Sequence, residues 1–121
     1  MDAINANSMQ LYDIPVVILI DFLTVSAGEF FAVHAEGTDR FTLIGTNTAG
    51  MPSNATQHSL PHRGVFQMQI FNTVNSEGVP ISNRGVMPDI WVDQTLADMI
   101  LGVDTQLKFA LDYIRNRLYN E

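Results

Sequence analysis

Cysteine is absent from the 121 residues, and lysine nearly so, Lys108 being the only one. Without thiols the chain has no disulfide framework, no thiolate nucleophile and no cysteine-based zinc site. Six basic residues against thirteen acidic ones leave a net charge of −7. Phosphate binding needs clustered Lys and Arg, so a nucleic-acid partner is excluded. Long apolar runs are lacking too. The longest, from Ile14 to Ile20, is interrupted by Pro15 and falls far short of the roughly 20 residues that cross a bilayer, so no membrane insertion is expected. Residues 1–14 show neither the basic start nor the apolar stretch of a secretory signal, and read as a polar lead-in to residues 15–121.

What is present is 46% apolar and 16% charged, the balance of a globular chain with one modest core. Residues 15–21 (PVVILID) are β-branched and apolar without polar alternation, which predicts a strand buried on both faces. Residues 26–36 place Phe30, Val33 and the aliphatic part of His34 at helical spacing, widened by Phe31 and Ala35, and stop near Gly37. Phe41–Gly45 reads as a second strand. Strand, helix and strand make a βαβ crossover, hence a parallel pair, a right-handed connection and an α/β fold class. Residues 46–56 form a loop; residues 58–60 predict a short strand, 64–75 a long one, and Ser76-Glu77-Gly78 a turn. Residues 85–92 are extended, with Pro88 favouring an edge or an exit. A short helix over 95–101 ends at Gly102. A last one, capped by Asp104, carries the apolar stripe Leu107, Ala110, Leu111, Ile114 and Leu118.

Ser26-Ala27-Gly28-Glu29 has two readings. As a capping box, the Ser26 hydroxyl accepts from the third helical N–H and Glu29 reaches back to the Ser26 N–H. As a nucleophile, Ser26 sits at the C-terminal end of a buried strand and opens a helix, whose free N–H groups and positive dipole end suit an oxyanion. Residues 24–28 approach the G-x-S-x-G elbow, with Thr24 in place of the first glycine. The histidines offer no ready base. His34 lies eight residues further along the same helix, about 12 Å away along its axis. His58 and His62 are four apart, yet Pro61 between them rules out the helical H-E-x-x-H arrangement. Asp21 reads as a turn-stabilising acid. Residues 46–50 lack the Gly-Lys-Ser/Thr ending of a phosphate loop. Met9, Met68 and Met99 read as packing residues, and Asn54-Ala55-Thr56 matches a glycosylation acceptor, a pattern too short to decide anything.

In chain order, PVVILID, TVSAGE, LIGTNTAG, NRGVMPD and DTQLKFALDYI resemble the C-terminal part of the catalytic domain of carboxy-terminal processing (tail-specific) serine peptidases and their tricorn-like relatives. The resemblance spans residues 15–114. It implies a ClpP/crotonase-like core of βα units, present here as an incomplete half with further strands and two C-terminal helices. It puts the nucleophile of a Ser-Ala-x-Glu motif on Ser26, an oxyanion-hole N–H on Ala27 and a supporting role on Glu29. It implies peptide or protein substrates, and no cofactor or metal.

The pattern departs from the family at the base. In the tail-specific branch a lysine follows the glycine of a G-x-x-T-x-G segment; here Gly45-Thr46-Asn47-Thr48-Ala49-Gly50 is followed by Met51, whose thioether cannot take a proton. In the tricorn-like branch the base is a histidine from an earlier part of the chain, and neither it nor the Gly-Gly oxyanion segment is among these residues. Ser82, Asn83 and Arg84 stand where an acid is expected. The expectation is therefore a serine peptidase subdomain, inactive alone, whose base comes from outside these residues. The alternative is a non-catalytic peptide-binding or assembly module in which Ser26 and Glu29 form the capping box. Either way an incomplete domain leaves strand edges bare, favouring homo-oligomers or association with an upstream region. A cell-envelope, periplasmic or secreted location comes with the family resemblance.

Overall fold

The computed structural model of the chain describes residues 15–52 and 55–119. The lead-in, Met9 and Asn54 lie outside them. Strand β1 (Val16–Ile20) leads through a turn to helix α1 (Ala27–Ala35), which returns to strand β2 (Phe41–Gly45). The two strands pair in parallel, with Val16 opposite Phe41 and Ile20 opposite Gly45, as the βαβ pattern requires. A hairpin follows, β3 (Ala55–Ser59) and β4 (Val65–Gln69), joined by a 3-10 turn over Pro61–Arg63. The short β5 (Ile90–Trp91) then adds to the free side of β2, giving the sheet order β1-β2-β5. Helices α2 (Leu96–Ile100) and α3 (Thr105–Tyr119) close the chain, and α3 packs on β1 and β2.

The core gathers Ile20 from β1, Ala32 and Ala35 from α1, Leu43 from β2, and Ile81 and Val86 from the segment before β5. The helix presents a face shifted from the one its apolar spacing suggests, keeping Ala35 and Val33 of the expected stripe against the core. Glu29, Ala32 and Ala35 are buried, whereas Phe31 is 58% exposed and His34 lies outside. Small alanines let α1 sit close over β2, and the aromatic ring is turned away. β1 is an edge strand among the described elements, with Val16 39% and Leu19 37% exposed, so the expected burial on both faces is not realised. The long strand expected over residues 64–75 stops at Gln69, because its partner β3 offers only five residues to pair with.

Side chains complete several backbone junctions. Asp89 follows Pro88 and stands in for a strand neighbour: its N–H donates to the Leu43 carbonyl at 2.8 Å, and its carboxylate accepts from the Leu43 N–H at 2.7 Å. The Asn75 carboxamide oxygen accepts from the N–H groups of Glu77 and Val79, which shapes the predicted turn at residues 76–78. Gly45 ends β2 with φ +137°, and a Cβ there would lie 1.9 Å from the Ile20 carbonyl oxygen.

The corner between α2 and α3 follows the caps legible in the sequence. The Thr95 hydroxyl accepts from the Asp98 N–H, and the Asp104 carboxylate from the Leu107 N–H. Asp98 in turn accepts from the Thr105 hydroxyl at 2.8 Å. That bond, then Thr95, and more weakly Lys108, hold its carboxyl below the ordinary value of 3.8. A depressed acid stabilises the fold above its unfolded pKa and ceases to as pH falls through the folded value. The stability difference between wild type and Asp98→Asn should thus be constant above about pH 5 and shrink on acidification. Urea unfolding of both proteins across the acid range measures it; a pH-independent difference would contradict the assignment.

Candidate active site

Ser26 lies between the C-terminal end of β1 and the first residue of α1, where the chain reverses sharply. Its backbone stands at φ 55°, ψ −121°, the left-handed corner of a type II′ turn that glycine usually occupies. The turn is closed by the Gly28 N–H donating to the Val25 carbonyl at 3.0 Å. The Asp21 end of β1 is braced as the sequence suggests. Asp21 accepts from the Leu23 N–H at 2.9 Å, and its own N–H donates to the Thr24 hydroxyl at 3.1 Å.

The capping box is not formed. The Ser26 side chain makes no N-cap hydrogen bond to α1, and Glu29 does not turn back towards it. Glu29 is fully buried, and its Oε1 accepts from the Thr48 hydroxyl and the Gly50 N–H, each at 2.6 Å. The Ser26 N–H, which the box would have offered to Glu29, donates instead to the Met51 carbonyl at 3.2 Å. The reason is nonlocal. The loop after β2 supplies two donors to the carboxylate where the box would have supplied one, and burying a carboxylate requires such partners.

At the head of α1 the N–H groups of Glu29 and Phe30 donate to the Ser26 carbonyl at 3.0 and 3.2 Å. The Ala27 N–H, at the first helical position, has no intrahelical acceptor and no hydrogen-bond acceptor among the described residues. A half-buried serine and the N–H of an exposed Ala27 therefore share the positive end of a helix. An acyl oxygen placed there would meet the donor as negative charge develops on it.

Met51 stands next to this turn through its main chain, with its side chain 65% exposed. The histidines are elsewhere. His34 is exposed on α1 with its Nδ1 2.6 Å from the Phe30 carbonyl, His58 is exposed on β3, and His62 on the 3-10 turn. Lys108 is exposed on α3. Among the described residues no group of three or more His, Asp or Glu side chains could hold a metal ion, and no helix is long and apolar enough to cross a membrane. Two structural residues escaped the sequence reading, Thr48 and Asp89. Both sit inside the motifs LIGTNTAG and NRGVMPD, yet nothing local marks a threonine as buried or an aspartate as a strand partner.

Comparison with known proteins bears on the family and the fold. The sequence matches the model of peptidase family S41 over residues 2–92. It is 31% identical over 93 residues to a carboxy-terminal-processing protease of Bartonella bacilliformis, covering 77% of this chain and 21% of that protein. A carboxyl-terminal-processing protease of Synechocystis sp. is 28% identical over 116 residues, covering 93% of this chain and 27% of the relative. The crystal structure of the tricorn protease superposes with a TM-score of 0.72 at 24% identity, over 86% of this chain and 10% of that one, a likeness of fold. The chain thus spans 21% to 27% of the length of these two processing proteases.

Proposed function

Because this chain belongs to peptidase family S41, we propose that it is the C-terminal part of a serine peptidase catalytic unit in which Ser26 supplies the attacking oxygen. The Ser26 Oγ adds to the scissile carbonyl of a peptide, and its proton passes to a base from outside these 121 residues. The oxyanion accepts from the Ala27 N–H at the positive end of α1. Collapse expels the amine, which takes up the proton, and leaves an acyl-serine that water then hydrolyses. Glu29 touches no reacting atom in this scheme; it holds the loop that carries Met51.

The observation that carries the reading is the turn itself, a serine in the position of a type II′ corner where glycine is the ordinary occupant. Strain of this kind persists where the surroundings enforce it, and it gathers at functional sites. Fluorophosphonate labelling of the protein as the cell makes it, with the adduct located by peptide mass spectrometry, tests the reading. The adduct is expected on Ser26 and should be lost on denaturation. A folded protein without an adduct, or with one elsewhere, would overturn it. The reading also expects the exposed edge β1 and the two-stranded β3–β4 hairpin to be covered by a further segment or a second copy, since such a hairpin is marginal alone. It places the protein in the cell envelope or outside the cell.

A further inference from the structure

Residues 48–51 join three separate parts of the chain. On one side the Ala49 N–H donates to the Thr24 carbonyl at 3.1 Å, and the Met51 carbonyl accepts from the Ser26 N–H. On the other side the Thr48 N–H donates to the Val86 carbonyl at 3.1 Å, and the Gly50 carbonyl accepts from the Asn83 N–H at 2.8 Å. The backbones meet so closely that a Cβ on Gly85 would lie 2.2 Å from the Thr48 carbonyl oxygen. From α1 comes the carboxylate of Glu29.

One hydroxyl links these contacts. Thr48 Oγ1 is buried; it donates to Glu29 Oε1 and accepts from the Val86 N–H at 2.8 Å. Glu29 Oε2 is buried without a partner among the described residues, so the carboxylate takes its orientation from the two donors on Oε1. We propose that Thr48 is a positioning residue for Ser26: its hydroxyl fixes the 48–51 segment in the register that holds the Ser26 turn. The bearing on catalysis rests on Ser26 being the nucleophile, whereas the coupling itself is measurable without that premise.

Thr48→Val keeps the shape and removes the hydroxyl. It leaves the Val86 N–H buried without its acceptor and Glu29 Oε1 with one donor, which weakens the segment at its root. Amide hydrogen exchange on the 121-residue chain reads the result. In the variant the Ser26 and Gly50 amides should exchange about tenfold faster or more, with Leu43 and Ile44 in β2 changed by less than about twofold. Thr48→Ser should restore the wild-type rates. An unchanged Ser26 rate would overturn the proposal, as would equal acceleration at Leu43 and Ile44, the mark of a general loss of stability. Should Thr48→Val not fold, wild type decides: Ser26, Gly50 and Val86 should open as one unit with a common denaturant dependence, and independent opening of Ser26 would refute the coupling. A failed fluorophosphonate reaction would remove the nucleophile and leave the exchange result standing.

Discussion

Ser26→Gly is expected to raise stability by up to about 2 kcal/mol while abolishing acyl transfer. The wild-type residue holds a Cβ at φ 55°, ψ −121°, a conformation that costs about 1–3 kcal/mol for a non-glycine residue. Glycine removes that cost and loses roughly 0.5–1 kcal/mol of it again through a freer unfolded chain. Ser26→Ala keeps the Cβ and therefore the strain, so its stability should stay within about 0.5 kcal/mol of wild type. A serine serving as a helix cap would behave otherwise, with alanine costing about 1 kcal/mol. Denaturant midpoints at constant slope separate the two. A loss above about 1 kcal/mol for Ser26→Gly would mean that the hydroxyl holds the turn together. Peptide turnover, assayed in the protein as the cell makes it, should fall by about 10⁴-fold or more in both variants.

Gly45→Ala should cost more than about 4 kcal/mol and leave most of the chain unfolded. The position lies in the central strand, where φ is +137° and the added methyl would meet the Ile20 carbonyl oxygen at 1.9 Å. That oxygen is fixed, because it accepts from the Thr46 N–H at 3.0 Å in the register that continues β1 against β2. Relief would require β1 and β2 to part at the end that carries Ser26. Gly78→Ala is the matched control, with φ +78° but nothing within 4 Å of the added Cβ. Its cost should be about 1 kcal/mol, the conformational part alone. Equal losses in the two variants would show that close approach at Gly45 contributes nothing.

The parts of this molecule that sequence discloses are those whose cause is local. Phe41–Gly45, the caps Thr95 and Asp104, and the turn at Asn75 each carry their reason within a few residues. Ser26-Ala27-Gly28-Glu29 does not. The same four residues would read alike whether the carboxylate bent back or went inward, and donors from about twenty positions later decide it. The alternation beyond Gln69 was likewise an incomplete guide, because a strand extends no further than its neighbour. Helix α1 shows the converse error. Of the apolar stripe, Ala35 and Val33 face the core while Phe31 does not, and Ala32 and Glu29, outside the stripe, are buried by contacts made across the fold.

Met51 meets the Ser26 turn through its main-chain carbonyl, and its side chain is exposed. Any residue type offers that carbonyl. Substitution at position 51 can therefore leave intact the hydrogen bond to the Ser26 N–H. The residue type at position 51 and the main-chain support of the Ser26 turn are thus separable properties of the fold.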